Sequence, residues 1–306
     1  MQNPSPPPGK PSRHALPAKA AQVIEELRPG QSLELLKELH ILTREGKLNQ
    51  DTRRKLKQVY HLYQFIAPLL EDVSAQGQGQ GFTLADHGAG KSYLGFILYD
   101  LFFNVAHAGQ KPSGHIYGIE TRAELVDQSR ELARKLGFAQ MSFLNLTVAQ
   151  ATSAAELPAR VDIVTALHAC DTATDDAIAF GFHKQARHMV VVPCCQAEVA
   201  GMLRRNKALS LAKTPLAELW RHPLHTREFG SQITNVLRCL QLEAHGYEVT
   251  VTELVGWEHS MKNELIIASR LPAPNASKTR QAQARLKEVL LELNLGELTA
   301  RFAPPA

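Results

Sequence analysis

Short apolar stretches recur along the chain after residue 81, and most are followed by a segment with the apolar spacing of a helix. The stretches FTLAD, HIYGIE, MSFLNL, VDIVTAL and HMVVVP predict five strands. Helices are predicted over 91–107, 122–136, 172–186 and 231–245, with irregular structure over 147–159 and in the basic stretch after the fifth strand. This β-α-β-α order predicts a doubly wound, mostly parallel sheet with helices on both faces.

The end of this region has a different pattern. YEVTVTELV and NELIIASRL predict two strands joined by the short connection GWEHSMK, so one of them must run antiparallel to the sheet. A last amphipathic helix is predicted over 279–295. The apolar stretch YLGFILYDLFFNVAHA contains Asp100 and is short for a bilayer, so we interpret it as a buried helix and expect no membrane association.

The first part of the chain is organised differently. Residues 1–17 are rich in proline and predict disorder. Helices are predicted over 18–28, 31–45 and 50–71, and the glycine-rich AQGQGQG at 75–81 predicts a hinge. The expected organisation is a disordered segment 1–17, a helical region 18–78, an α/β domain 79–272 and a C-terminal helix and tail 273–306.

Composition narrows the class of protein. The chain of 306 residues has a formal net charge of +4, from 34 basic and 30 acidic residues, which is compatible with an RNA partner. Its 4 cysteines are too few for a disulfide framework. The first residues contain no apolar run typical of a secretory signal. These features predict a cytoplasmic protein with reduced thiols, and they leave its oligomeric state open.

The motif ADHGAGKS at 85–92 nearly matches the phosphate-binding loop G-x-x-x-x-G-K-[ST]. Asp86 argues against that ligand, because its carboxylate would lie beside several phosphate charges. S-adenosylmethionine reverses this argument, since it carries a sulfonium cation and an α-amino group. Gly88 and Gly90 would let the backbone approach such a ligand closely. We therefore favour an S-adenosylmethionine site, with a P-loop nucleotide-binding protein as the alternative.

Two further strand ends bear on a nucleoside ligand. Glu120 closes the second strand, where an acidic side chain can accept hydrogen bonds from both ribose hydroxyls of an adenosine. The alternative is an ordinary glutamate that caps the next helix. Asn145 closes the third strand and is expected either to reach the adenine edge or to serve as a turn asparagine.

The fourth and fifth predicted strands end in ALHACDTATD and VPCCQ. These ends should be neighbours, and they would then bring together His168, Cys170, Asp171, Cys194 and Cys195. Asp171 or His168 could be a general base or an orienting acceptor. The Pro-Cys pair with Cys194 could supply a nucleophilic thiolate. Zinc binding and plain burial of small hydrophobic cysteines are the other readings, and our prediction includes no metal.

The motifs DHGAGKSYL, ALHACDTATD and VPCCQ together resemble a known family. They look like the methyltransferase domain shared by methyltransferase-like proteins and the glutathione S-transferase C-terminal-domain-containing protein, over roughly residues 50–200, with KLKQVYHLYQF as a further match. The resemblance implies a class I fold of seven strands, S-adenosylmethionine binding and methyl transfer. With Asp86, Gly88, Gly90, Glu120 and Asn145, we also place Leu167, at the end of the fourth strand, in the cofactor site.

The acceptor is the least defined part of the prediction. RRKLK at 53–57 and RRNK at 204–207 could contact a nucleic-acid backbone, although such runs are usually solvated helix faces. His259, Lys262 and Asn263 in the terminal hairpin could contact a substrate, and Trp257 could stack on a base. We expect an RNA methyltransferase, with a protein or small-molecule methyltransferase, or a non-catalytic binding module, as alternatives.

Overall fold

The protein is represented by a computed structural model that describes residues 26–76, 81–109, 113–167, 169, 171–193, 196–206, 213–254 and 264–302. Every strand predicted from the apolar pattern is present. The strands are β1 (Phe82–His87), β2 (Gly114–Glu120), β3 (Met141–Asn145), β4 (Ile163–Leu167), β5 (His188–Val192), β6 (Tyr247–Glu253) and β7 (Glu264–Arg270).

The helices cover both faces of these strands. They are α1 (Leu33–Glu38), α2 (Gln50–Gln76), α3 (Tyr93–Tyr99), α4 (Ala123–Leu136), α5 (Val148–Ser153), α6 (Thr172–His183), α7 (Glu198–Asn206), α8 (Pro223–Ala244), α9 (Ala276–Glu292) and α10 (Thr299–Phe302). A π-helical segment (Asp100–Ala106) continues α3, and short 3₁₀ segments are formed by Pro215–Trp220 and Gly296–Leu298.

All seven strands form one sheet in the order β3-β2-β1-β4-β5-β7-β6. The strands β1 to β5 pair in parallel, whereas β7 runs antiparallel to both β5 and β6. The predicted fold class, with its antiparallel terminal hairpin, is confirmed. The strand order reverses between β1 and β4, and in open α/β sheets a ligand binds beyond the carboxyl ends of the strands at such a point.

Several boundaries differ from the prediction. The helix predicted over 31–45 ends at Glu38, because the chain turns at His40, which has a φ of 54°. The segment 147–159, predicted as irregular, contains α5, where Thr147 and Gln150 form a reciprocal capping box. The basic stretch after β5 contains α7, and α8 begins at Pro223 rather than near residue 231.

The N-terminal helices share a core with the sheet. Leu35 and Leu36 of α1 are fully buried in the same apolar cluster as Leu84 of β1. The segment 1–17, most of the helix predicted over 18–28 and residues 77–80 of the predicted hinge lie outside the described residues. The division of the chain into domains stays a prediction.

The long apolar stretch after β1 is buried, as predicted, in α3 and the π-helical segment. Asp100 within it is fully buried, and its carboxylate accepts hydrogen bonds from the Ser32 backbone N–H over 3.0 Å and from Asn104 over 3.1 Å. An acidic residue inside this apolar segment therefore anchors the start of α1. In the part of the chain that the structure describes, no helix combines the length and apolarity needed to cross a bilayer.

Candidate active site

Asp86 lies in the sheet interior near the carboxyl end of β1. Its side chain is 2% exposed, and Oδ1 accepts a hydrogen bond from Thr165 Oγ1 of β4 over 2.7 Å. Burial raises the pKa of Asp86 to about 7, although the bond from Thr165 acts in the opposite direction. No cation pairs with this carboxylate among the described residues. The site therefore holds a buried acid whose ionised form would be stabilised by a positively charged ligand.

The backbone turns sharply after β1. Gly88 and Gly90 have φ angles of 63° and 57°, in the left-handed region that favours glycine, and Ser92 also lies there at 51°. A Cβ added at Gly88 would lie 4.0 Å from the Cβ of Ala169, which follows β4. The turn thus runs close to the end of β4, and its conformation explains the glycine spacing.

Glu120 at the end of β2 holds this turn in place. Its Oε2 accepts from the Gly90 N–H over 2.8 Å, and Oε1 accepts from the backbone N–H groups of Thr121 and Arg122. The Arg122 guanidinium donates to both oxygens over 3.1 Å. Burial alone would favour protonation, but the bonds from Arg122 and Gly90 hold the pKa of Glu120 at about 2. The carboxylate is therefore ionised and well supplied with donors.

The other two predicted cofactor residues close the neighbouring strands. Asn145 is exposed at the end of β3, and its Nδ2 donates to the backbone oxygens of Glu120 over 3.1 Å and Thr121 over 2.8 Å. Since both N–H bonds brace the end of β2, Oδ1 is the atom left to meet a ligand. Leu167 is half-buried at the end of β4, where it pairs with Val192 of β5.

Asp171 lies just beyond β4 and caps a helix. Its Oδ1 accepts from the backbone N–H groups of Ala197 over 3.1 Å and Glu198 over 3.3 Å, at the start of α7. Its backbone has φ 50° and ψ −122°, a conformation that side-chain-bearing residues rarely adopt. β4 and β5 are neighbours, as predicted, and Asp171 connects the segments that follow them.

The remaining predicted residues at these strand ends cannot be placed. His168, Cys170, Cys194 and Cys195 lie outside the described residues, as do Trp257, His259, Lys262 and Asn263 of the terminal hairpin. The base, thiolate and zinc readings therefore stay open. The described cysteine, Cys239, is a free thiol, and burial raises its pKa to about 12.

Sequence reasoning missed a buried polar cluster beside Asp171. Arg238 of α8 is fully buried and donates to Asp175, to Asn235 and to the Asp171 backbone oxygen. Gln196, after β5, donates to the same oxygen of Asn235. Arg238 and its partners Asp171 and Asp175 are more than sixty residues apart, so no local pattern marks the cluster.

His87 and Lys91, in the motif that nearly matches a phosphate-binding loop, lie in different environments. His87 is 1% exposed against the Phe180 ring, with ring centroids 4.2 Å apart, and burial lowers its pKa to about 3. Among the described residues neither of its ring nitrogens has a hydrogen-bond partner. Lys91 is exposed and lines a cavity of about 510 Å³ between α1 and α4. The loop thus presents a buried acid and a neutral imidazole, which suit a cation better than a triphosphate.

The strand order, the terminal hairpin and the glycine turn beside an acidic strand end are those of the class I S-adenosylmethionine-dependent methyltransferase fold. Residues 54–202 match a protein-family model described as a methyltransferase domain. The methyltransferase prediction and its cofactor are confirmed, and the P-loop alternative is not supported. The finer resemblance to the glutathione S-transferase C-terminal-domain-containing protein stays a prediction.

Individual solved structures are only distantly similar to this chain. No curated protein matches the sequence. Among solved structures, magnesium protoporphyrin IX methyltransferase (ChlM) from Synechocystis PCC 6803 with bound SAH has 15% identity and a TM-score of 0.42, covering 77% of this chain and 94% of that chain. The fibrillarin pre-rRNA processing protein of Methanococcus jannaschii has 10% identity and a TM-score of 0.39, covering 62% and 67%. At this distance neither protein bears on the acceptor.

Proposed function

We propose that the protein transfers the methyl group of S-adenosylmethionine to RNA. Transfer takes place where the carboxyl ends of the parallel strands β1 to β5 meet, called here the carboxyl edge; their amino ends form the amino edge. The observation that supports the cofactor site is the buried Asp86 carboxylate, which has a neutral donor and no cation among the described residues. In this proposal Asp86 faces the positive charge of the cofactor. Gly88 and Gly90 have positive φ angles, which favour glycine, and without side chains they allow the backbone to approach the cofactor closely.

Glu120 is the proposed acceptor for the ribose hydroxyls. Its side chain is 6% exposed, and the exposed Arg122 guanidinium lies on both of its oxygens. Arg122 is 59% exposed, so it can leave Glu120 at little cost and release acceptor positions for a ribose. Asn145 would offer Oδ1 to the adenine, and Leu167 would form part of the apolar wall.

Bound S-adenosylmethionine supplies an electrophilic methyl group, and the chain must align the acceptor and remove its proton. Asp171 is the described residue best placed for this role, after β4 at the sheet edge used by the cofactor. Its Oδ1 is held by two backbone N–H groups, which orients the carboxylate. His168 remains a proposed alternative in the same role, and Cys194 remains a proposed nucleophilic thiolate.

The charge distribution supports an RNA acceptor. Between Arg44 and Lys57 the chain has six basic and two acidic residues, a net charge of +4 that equals the formal net charge of the whole protein. The rest of the chain is therefore neutral in sum. A concentrated positive region of this kind attracts a phosphate backbone without reading its sequence.

Contacts of α2 indicate which edge of the sheet this region approaches. Near the end of α2, Glu71 and Asp72 contact His107 and His188, and His188 is the first residue of β5, at the amino edge. Lys57 lies fifteen residues before Asp72, which is about 22 Å along a helix. A five-residue strand spans about 17 Å, so α2 is long enough to reach from one end of the strands to the other.

A contact in the middle of α2 gives its direction. Tyr60 donates a hydrogen bond to Gln31, and the backbone N–H of Ser32 donates to Asp100. Asp100 lies midway along the helical segment that leads from the glycine turn to the amino edge. α2 therefore runs toward the amino edge and ends there, and its basic first turns lie toward the carboxyl edge. We infer that RNA contacts these turns while its acceptor enters the site.

Two lysines are the best variants for testing this interface. Arg53 pairs with Glu26 over 2.9 Å and Arg54 approaches Asp51 to 3.9 Å, whereas Lys55 and Lys57 are exposed and have no ion pair among the described residues. Lys55→Glu with Lys57→Glu reverses both charges. Lys278→Glu with Lys287→Glu, on the exposed side of α9, changes the net charge equally and is the matched control.

The test incubates the protein with radiolabelled S-adenosylmethionine and separate RNA, protein and metabolite fractions of a cell extract. We expect label in RNA, about tenfold less label with the Lys55/Lys57 variant, and a steep loss of transfer as salt rises. The α9 variant should retain transfer, and both variants should bind S-adenosylmethionine as the wild type does. Label confined to protein or metabolites would contradict the RNA proposal.

A further inference from the structure

A buried arginine lies between the chain segments that follow β4 and β5. The Arg238 side chain is 0% exposed, and its partner Asp175 on α6 is 5% exposed. Nε donates to Asp175 Oδ1 over 2.6 Å, and Nη2 donates to Oδ2 over 3.0 Å. Removing two charges from water costs free energy that their attraction often fails to recover, so the pair calls for an explanation beyond stability.

The guanidinium does more than neutralise Asp175. Nη2 also donates to the Asp171 backbone oxygen over 2.8 Å, and Nη1 donates to Asn235 Oδ1 over 3.1 Å. The same Asn235 oxygen accepts from Gln196 Nε2 over 3.1 Å. Through Asn235, one planar group therefore links Asp171, after β4, to Gln196, after β5, and lysine lacks the donors for this geometry.

The backbone at Asp171 explains why such a tie is needed. With φ 50° and ψ −122°, this residue is in a strained conformation that persists only where its surroundings hold it. Arg238 holds its carbonyl, while Ala197 and Glu198 hold its carboxylate. Loss of the guanidinium would leave the carbonyl without this donor and allow the turn to relax.

We propose that Arg238 is a positioning residue for methyl transfer. It fixes the position of Asp171, after β4, relative to Gln196, after β5, so that Asp171 meets the acceptor in one arrangement. This inference rests on the proposed function, because it takes these two segments as the acceptor side of the site. Arg238 itself touches neither the cofactor nor the acceptor.

The informative variant removes both charges. Arg238→Met alone leaves Asp175 buried and unpaired, which lowers stability whatever the role of the arginine. Arg238→Met with Asp175→Leu replaces the pair by apolar side chains of similar size, so we expect the thermal midpoint to return close to the wild-type value. Arg238→Lys is the second variant, since it keeps the positive charge but not the planar fork.

Three readouts separate positioning from stability. In the double variant we expect kcat to fall about tenfold on the RNA that the wild type labels, with KM for S-adenosylmethionine within about threefold. Hydrogen exchange should quicken at the Ala197 and Glu198 amides, which bind Asp171. Arg238→Lys should show the same split between kcat and KM. The control, Arg187→Met with Asp72→Leu, removes an ion pair at the amino edge and should leave all three readouts unchanged.

Recovery of kcat and of amide protection together with the thermal midpoint would overturn the proposal, because the pair would then be only structural. A fall in kcat of the same size in the amino-edge control would overturn it as well. Should the wild type label no RNA, the RNA proposal fails by itself. Exchange at Ala197 and Glu198, measured with S-adenosylmethionine bound, then decides whether Arg238 positions these segments.

Discussion

Aspartate–threonine pairs join β1 to the β4 region at both ends of these strands, and the two pairs are built differently. At the amino edge Asp162 Oδ2 accepts from the Thr83 backbone N–H over 2.7 Å and from its hydroxyl over 3.0 Å, and the Asp162 N–H donates back to that hydroxyl. At the carboxyl edge Asp86 accepts from the Thr165 hydroxyl and is almost fully buried.

The surroundings extend this contrast between the edges. Asp72, also at the amino edge, binds Arg187 over 2.8 Å and His188 over 3.0 Å. At the carboxyl edge, His87 and the Ser92 hydroxyl are buried with no hydrogen-bond partner among the described residues. A complete set of partners stabilises a fold, whereas polar groups buried without partners cost stability unless a ligand supplies the missing hydrogen bonds.

The largest effect is expected from Asp86→Asn. Loss of the carboxylate should weaken S-adenosylmethionine binding about a hundredfold, because a neutral amide does not attract the cofactor's positive charge. The unfolding free energy at pH 8 should rise by about 4 kcal/mol, since the buried charge no longer has to form. Calorimetry and chemical denaturation measure the two quantities.

The control for this prediction is Asp162→Asn, in the equivalent pair at the amino edge. It should lower stability by about 1 kcal/mol and leave cofactor binding unchanged. Weakened binding in the control, or unchanged binding in Asp86→Asn, would remove the distinction between the two edges.

A second contrast lies between Glu120 and the arginine that covers it. Glu120→Gln should weaken S-adenosylmethionine binding about tenfold, because the amide cannot accept on both atoms and releases the Gly90 turn. Arg122→Ala should keep or strengthen binding, since Arg122 must leave the Glu120 oxygens before a ribose can bind. A loss of affinity in Arg122→Ala would show that the arginine contacts the cofactor instead.

The smallest effect is expected at the amino edge. Arg187→Met should lower the unfolding free energy by less than about 1 kcal/mol, because the Arg187 and Asp72 side chains are 35% and 37% exposed. Burial opposes ionisation of Asp72, but bonds from His188 and Arg187 hold its pKa below the ordinary value. The stabilising contribution of the Asp72 carboxylate is therefore lost as pH falls below about 4. The loss of unfolding free energy caused by Arg187→Met should accordingly be smaller at pH 3 than at pH 7, as chemical denaturation would measure.

The sequence predicted the sheet better than its connections. Short apolar stretches located all seven strands, five in alternation with helices and two in the terminal hairpin, because buried strands must be apolar whatever the loops do. The capping box at Thr147 and Gln150 was a readable signal for α5 that was missed. The early end of α1 was not readable, because it depends on the turn at His40 and on packing of Ile41 and Leu42.

The site shows the same limit. Asp86, Gly88, Gly90 and Glu120 lie at strand ends or in one turn, where local patterns predict such residues, and their part in cofactor binding stays a prediction. The helix-capping role of Asp171 and the cluster around Arg238 depend on partners that meet only after folding. Long-range polar contacts of this kind leave no periodic signal in one sequence.

The central claim is that Asp86 ionises to receive the cofactor's positive charge. In the free protein the pKa of Asp86, about 7, exceeds its ordinary value of 3.8, so the carboxylate destabilises the fold as pH rises from about 4 to 7. Cofactor binding favours the ionised form and should release about half a proton at pH 7, and more at lower pH. Affinity should therefore fall as pH drops from 7 to 5.5.

Calorimetry of S-adenosylmethionine binding at pH 7, in two buffers with different ionisation enthalpies, measures this proton directly. The account predicts release of about half a proton by the wild type and none by Asp86→Asn. Equal binding enthalpies for the wild type in the two buffers, with an affinity independent of pH between 5.5 and 8, would contradict it.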